Sequence, residues 1–336
     1  MPNLRKLLYP FSVLYKGLTD LRNIGYDYGY FEVARYDFPV IAVGNLNTGG
    51  TGKSPMIEYL VGLLIEEHKV ATLSRGYKRE SKGFQLIGSD DNAAKSGDEP
   101  LQFKNKYPEL LVAVDADRRN GIAKLRNEQA EVILLDDAFQ HRKVEAGYYI
   151  LLTSYGDLYS QDLVLPAGNL RESRKGAERA DVIVVTKCPP EITSVEMEKI
   201  REKLKANDKQ KVFFSKIEYS NKIYGKYDIK NLNDMKQENY AIVTGIANPA
   251  PFIDHLKKAG LELPHLKFPD HHIFTENELS QLDKYEGILT TEKDFMRLKD
   301  SRLKGKLYYL PIKTEIIDNA EQFDSAIKDY VNKNEV

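Results

Sequence analysis

The sequence predicts an α/β protein: a mainly parallel sheet sandwiched by helices, a second and smaller α/β domain, and an amphipathic helix at the N-terminus. Three observations carry that reading. Short apolar runs alternate with helical stretches along the chain. Several runs are continuous, such as Val132-Ile-Leu-Leu135 and Val182-Ile-Val-Val185, and continuous strands are buried on both faces, as in a parallel sheet covered on each side. Apolar residues also recur at helical spacing over the first 24 residues.

In chain order, that first segment comes first. Leu4, Leu7, Leu8, Phe11, Leu14, Tyr15, Leu18 and Leu21 occupy an arc of about 140° on a helix, with Arg5, Lys6 and Lys16 off it and Arg22 on it. There is no cleavage-site pattern. Such a helix either lies in a membrane interface or packs on the protein's own core; residues 1–24 are read as the former, with Pro10 as a kink or break. Strands are expected at 39–44, 70–74, 110–114, 131–136, 148–153, 181–186, 212–218, 240–244, 287–290 and 307–312, and helices at 53–67, 116–127 and 195–206. Cys188-Pro-Pro190 stops regular structure. It places a boundary between a nucleotide-binding domain at 25–188 and a smaller domain at 189–336 that closes over the active site.

Composition narrows the function. Lys and Arg number 49 against 50 Asp and Glu among 336 residues, so no general attraction to nucleic acid is implied. The single cysteine, Cys188, reads as a packed residue at a strand end in a reducing compartment. No run reaches the ~18 apolar residues that span a bilayer.

The strongest motif runs from Val40 to Ser54: an apolar strand, the Gly-rich Asn47-Thr48-Gly49-Gly50-Thr51-Gly52, then Lys53 and Ser54 opening a helix. Backbone amides and the positive helix end of such a loop cradle phosphate oxygens. Lys53 supplies a charge at the β and γ phosphates of ATP, and Ser54 is placed to ligate Mg²⁺. Asn47 stands where the strict pattern has glycine; its tolerance of left-handed backbone would let the loop survive. A second strand, 131–136, ends in Asp136 and Asp137, either of which could hold the Mg²⁺. Together these make the fold P-loop NTPase-like.

Further motifs are Ser74-Arg-Gly-Tyr77, Gly97-Asp-Glu-Pro100, Asp115-Ala-Asp-Arg118, Asp136-Asp-Ala-Phe-Gln-His141, Leu165-Pro-Ala-Gly168 with Leu170-Arg-Glu172, Asp270-His-His272 and Thr291-Glu-Lys-Asp294. In this order and spacing, the set resembles the lipid A 4'-kinase (tetraacyldisaccharide 4'-kinase) family from about residue 40 to about residue 295. The resemblance implies transfer of the ATP γ-phosphoryl group to the 4'-hydroxyl of a tetraacylated glucosamine disaccharide 1-phosphate. It also implies peripheral attachment at the cytoplasmic face of the inner membrane; no obligate protein partner is expected. It gives Asp98 the role of catalytic aspartate and His271 that of its partner, a pairing able to accept the proton of a sugar hydroxyl. The plainer alternatives are an Asp98 that caps its own helix and an interdomain His271 with a structural role; His272 reads as structural. Arg75, Arg118, Arg119, Gln140, His141, Arg171 and Glu172 are candidates for contacts to substrate or phosphate, because arginine forks suit phosphate. Thr186-Lys-Cys188 is expected near the nucleotide. The rival reading is a P-loop GTPase or metal-insertion chaperone, but the chain has Thr-Lys-Cys-Pro in place of Asn-Lys-x-Asp and a single cysteine.

Overall fold

A Pro at 10 cannot donate a backbone bond, and the chain uses it to begin a helix. The computed structural model describes every residue except 1, 77, 78, 80, 89, 92–95, 237, 238, 335 and 336; Tyr77 of the Ser-Arg-Gly-Tyr motif therefore lies outside the described residues. Helix α1 (Pro2–Lys6) ends before α2 (Tyr9–Asp27), which carries Pro10 in its first turn. The apolar face does not pack on the core: Leu7 is 73% and Phe11 63% exposed, and Leu4, Leu14, Leu18 and Leu21 are exposed with them. Polar side chains of the helix face the protein. Among the described residues, no helix is long and apolar enough to cross a membrane.

Strand β1 (Val40–Asn45) is buried along its whole length and leads through the Gly-rich loop into α3 (Lys53–Leu64). There follow β2 (Val70–Ser74), β3 (Gln85–Leu86), α4 (Asp98–Lys106), β4 (Leu111–Val114), α5 (Arg118–Asn127), β5 (Val132–Asp136), β6 (Tyr148–Ser154), β7 (Val182–Thr186), α6 (Ser194–Leu204) and β8 (Lys211–Tyr219). The continuous Val/Ile/Leu strands 132–136 and 182–186 are buried throughout, as their pattern requires. A smaller unit follows: β9 (Lys222–Gly225), β10 (Ile229–Asn231), β11 (Tyr240–Thr244), α7 (Ala250–Lys258), β12 (His265–Lys267), α8 (Glu276–Leu282), β13 (Gly287–Thr290), α9 (Glu292–Leu298) and β14 (Leu307–Tyr309). Strand β15 (Ile312–Ile316) and α10 (Ala320–Lys333) complete the chain.

The large sheet has nine strands in the order β15-β8-β7-β6-β1-β5-β2-β4-β3. Its centre is parallel, with β1 between β5 and β6, and the two outer pairs, β15 with β8 and β3 with β4, are antiparallel. The small sheet has six strands in the order β10-β9-β14-β13-β11-β12. This topology corrects the boundary expected at 188. The two prolines end β7, yet α6 and β8 return to the large sheet, because Phe213 and Phe214 bury their rings in its cores. The strand expected at 307–312 is two strands in different sheets, separated at Pro311, whose missing N–H breaks a ladder. The first lobe thus runs to residue 219 and resumes at 312, with the second lobe inserted between.

Helix α10 seals the insertion. Phe323, Ile327 and Val331 are fully buried. Tyr59 Oη of α3 donates to Asp324 at 2.7 Å, and Tyr330 Oη meets the backbone of Val40.

Candidate active site

Ligands of open α/β sheets bind beyond the carboxyl ends of the strands, and here β1, β2, β5 and β7 end together around the Gly-rich loop. Gly52 caps α3 at φ +85°, a left-handed conformation that suits glycine. A Cβ on Gly49 or Gly50 would meet nothing within 4 Å, so the space above them is open. The loop is strapped from behind: Thr186 Oγ1 donates to the Thr51 carbonyl at 2.7 Å, and Lys187 Nζ donates to the Gly50 carbonyl. That is where the Thr-Lys-Cys motif sits. Cys188 is buried beside it, its thiol pushed up to about 12 by burial.

Asn47 holds its place by a different device from the one its residue type suggests. It is absent from the left-handed residues, bridges Leu170, and directs its amide at Asp157 and Asp162 at 3.3 and 3.4 Å. Thr48 N donates to the Asn169 carbonyl. The loop is therefore anchored on the 157–170 segment.

Lys53 Nζ donates to Asn45 Oδ1 at 3.2 Å and lies 3.6 Å from Asp137. Arg171 grips Asp137 with a two-pronged fork, at 2.8 and 3.1 Å, and also donates to Asn45. Burial would push the Asp137 carboxyl up, but the Arg171 bonds and Lys53 outweigh it and hold it below the usual range. Asp136 differs. It is buried, its Oδ1 has no partner, and burial with the nearby Glu99 charge pushes it up to about 7. A buried carboxylate oxygen without a donor is what a divalent cation satisfies. Ser54 Oγ donates to Glu99 Oε1 at 2.8 Å, so Ser54, Glu99 and Asp136 form the donor set that fits Mg²⁺, and Asp137 is engaged with cations. Among the described residues, no group of three or more His, Cys, Asp or Glu is placed to hold a metal ion by itself. A cation here would share its remaining positions with phosphate and water.

The second lobe delivers the rest. Gly97 (φ +88°) caps α4 through its backbone, so Asp98 is not spent on capping. Its Oδ2 lies 3.1 Å from His271 Nδ1 and accepts from Arg297 Nε at 2.8 Å and from Arg297 Nη2. All three contacts fall on Oδ2, and among the described residues Oδ1 takes none. His271 is held in a left-handed backbone (φ +58°), with its amide on the Gly245 carbonyl. Asp294, fully buried, receives Gly245 N at 2.8 Å and Arg297 Nη1 at 2.8 Å, so one frame fixes both partners of Asp98. The two lobes touch, and the Asp98–His271 pair is formed across them. His272 accepts the structural role expected of it: it pairs with Glu278 at 3.0 Å and stacks on Phe268.

The basic candidates separate by environment. Arg118 is buried and spends its guanidinium on the carbonyls of Asp115 and Asp136, behind the site. Arg119 is bound to Asp117, with Glu32 nearby, and Arg75 is exposed. His141 is driven down to about 4 by burial and then by Arg118, so it stands neutral and any phosphate contact would be a hydrogen bond without charge. Glu172 does not face open space. Only 2% exposed, it is the knot that ties Asn23 of α2, Gln140 and Arg179 together at 2.8–3.0 Å. The N-terminal helix docks through polar groups: Arg5 on the carbonyls of Pro166 and Gly168 and, from the arc itself, Tyr15 Oη on the Arg171 carbonyl and Arg22 on the Gln140 carbonyl. Glu99 as a candidate ligand, and Lys293 and Arg297, were not singled out from sequence. Arg297 stands three residues after Asp294 on one helix, a spacing that puts both on one face.

A P-loop nucleotide site in one lobe, met by an Asp–His pair assembled across two lobes, defines a phosphotransferase that uses ATP. The sequence model described as tetraacyldisaccharide-1-P 4'-kinase matches residues 4–332, and the chain belongs to that kinase family. Tetraacyldisaccharide 4'-kinase of Flavobacterium johnsoniae is 51% identical over 336 residues, covering 98% of both chains. That of Phocaeicola vulgatus is 42% identical over 353 residues, covering 98% of this chain and 96% of its own. The crystal structure of LpxK from Aquifex aeolicus in complex with ATP matches with a TM-score of 0.79 at 31% identity, covering 98% of this chain and 99% of that one. The GTPase and metal-insertion readings are set aside by this membership.

Proposed function

We propose that the protein transfers the γ-phosphoryl group of ATP to the 4'-hydroxyl of a tetraacylated glucosamine disaccharide 1-phosphate, a step of lipid A biosynthesis. The observation that carries the reading is the Asp98–His271 pair set across from the phosphate loop, in a chain of this family. The Gly49–Gly52 amides and Lys53 bind and orient the triphosphate. Asp98 Oδ1, open while Oδ2 is held, accepts the hydroxyl proton as the oxygen attacks phosphorus. His271 and Arg297 fix the carboxylate's orientation. Ser54, Glu99 and Asp136 would hold Mg²⁺, which neutralises charge on the β and γ oxygens when bound. Arg171, steadied by Asp137, faces the same space.

The acceptor's acyl chains belong in a bilayer. The exposed apolar face of α1 and α2 supports a peripheral position at the cytoplasmic face of the inner membrane, where the docked polar groups keep the phosphate loop beside the surface. The deciding experiment is transfer of radiolabel from [γ-³²P]ATP to disaccharide 1-phosphate lipid in mixed micelles, with and without Mg²⁺. Labelled bisphosphate product is expected only with Mg²⁺. Hydrolysis of ATP without labelled lipid would reject the acceptor; transfer undiminished in excess chelator would reject the metal.

A further inference from the structure

Helix α9 belongs to the second lobe, yet three of its side chains reach into the first. Glu292 lies 3.6 Å from Lys106 of α4, Lys293 forms an ion pair with Glu99, and Arg297 holds Asp98. Arg297 has a clear job as a clamp on Asp98. Lys293 is different. Its ammonium sits on Glu99 Oε1, the same oxygen that accepts the Ser54 hydroxyl at 2.8 Å. A cation is thus already seated on Glu99, beside Ser54, at the position Mg²⁺ would take.

We infer that Lys293 is a further residue of the reaction, contributed by the second lobe. Its ammonium pairs with Glu99 when no metal is bound, and turns to the transferring phosphate when a cation takes its place on that carboxylate. The inference rests on the reading of Ser54, Glu99 and Asp136 as the metal's ligands.

Charge and reach both support it. Glu99, Asp136 and Asp137 face Lys53, Arg171 and Lys293, with Lys187 close by, so the cationic groups outnumber the carboxylates. A nucleoside triphosphate brings more negative charge than one divalent cation cancels, and the carboxylates that turn to the cation release their lysine. A lysine on a flexible four-carbon stem can follow that shift, where a forked arginine could not. Lys293 and Glu99 are each partly exposed at the side chain. Lys187, which touches Gly50 of the loop, is held below its ordinary value by burial and then by Lys293 and Lys53, so three ammonium groups converge where phosphate would lie.

Mn²⁺ serves as the probe, titrated by electron paramagnetic resonance in the absence of nucleotide. K293M leaves Glu99 without its competitor, so Mn²⁺ should bind at least roughly tenfold tighter than in wild type, while kcat for lipid phosphorylation falls about 10²-fold or more, the scale of losing one transition-state donor. K293R, which keeps a cation on Glu99, should bind Mn²⁺ as weakly as wild type. In unmodified protein, Mg²⁺ alone should raise the acetylation rate of Lys293 severalfold, read by peptide mass spectrometry; this arm does not depend on any variant folding. Unchanged or weaker Mn²⁺ binding in K293M, or an acetylation rate indifferent to Mg²⁺, would make Lys293 a mere staple between lobes and overturn the inference. A wild type that binds no Mn²⁺ even with ATP would remove the metal reading itself, a distinct failure.

Discussion

Two side chains from the second lobe, His271 and Arg297, crowd one oxygen of Asp98 and leave the other open. That asymmetry makes Asp98→Ala informative: kcat should fall by about 10²–10⁴, the range for a lost general base, with ATP affinity nearly unchanged. A loss confined to ATP affinity would make Asp98 a nucleotide ligand. Lys53→Ala, by contrast, should abolish most turnover and weaken ATP binding, as read by calorimetry on a folded variant. Wild-type rates would remove the phosphate loop from the mechanism. Much of this was legible from single residues, because a phosphate loop and an acid-ended strand are local patterns. Glu99, Lys293 and Arg297 were not, because their partners lie about 200 positions away and only the docking of two lobes brings them together. Asn47 was found at the right place for the wrong reason: the demand on it is a side-chain contact to Asp157 and Asp162, which no spacing rule reveals.

Two elements carry the next predictions. The amphipathic N-terminus was readable as a pattern, but its period says only that one face is apolar, not which way it points. The structure turns that face outward and spends polar groups on the protein. Deleting residues 1–24 would therefore unmoor Arg171 and the Glu172 knot and confound any membrane assay. Leu7→Asp with Phe11→Asp changes only exposed positions. This double variant should lose most vesicle binding and raise KM for the lipid, with ATP binding and thermal stability intact; vesicle binding equal to wild type would place the contact on another surface. Since Arg5 is bound to residues 166–169 and Lys16 to Asp20, salt should matter less here than the apolar area. Helix α9 bears on pH. Burial and then the Glu58 charge push Glu292 up from near 4.5 to about 7. A raised acid favours the fold fully below its ordinary value, and that contribution is lost as pH climbs through about 7. Glu292→Gln should thus match wild type in thermal melts near pH 4.5 and melt higher at pH 8. A lower melt at pH 8 would mean Lys106 needs the second carboxylate.

At the scale of the whole molecule, the second lobe is an insertion into the first. The sequence could not display this, because a strand bears no label for its sheet and Pro311 divides two strands only two residues apart. One expectation follows from it. A chain ending at residue 311 keeps every phosphate-loop residue but loses Phe323, Ile327 and Val331, each worth about 1.5–3 kcal/mol when buried. That total is comparable with the 5–15 kcal/mol by which domains are stable. Such a chain should be unfolded or aggregated and fail to bind ATP; a truncated protein that bound ATP with an unchanged melting temperature would show the lobes to be independent. The same insertion also sets a timetable for biosynthesis. Until β15 is made, β8 is an open sheet edge, with Phe213 and Phe214 beside it and unpaired backbone along its length. The whole second lobe must be translated before the covering strand exists, which at about 5–20 residues per second is a wait of roughly 5–20 seconds. During that interval, the nascent chain exposes a sticky edge of its own making, and holding it apart from neighbouring ribosomes' products becomes work for a chaperone.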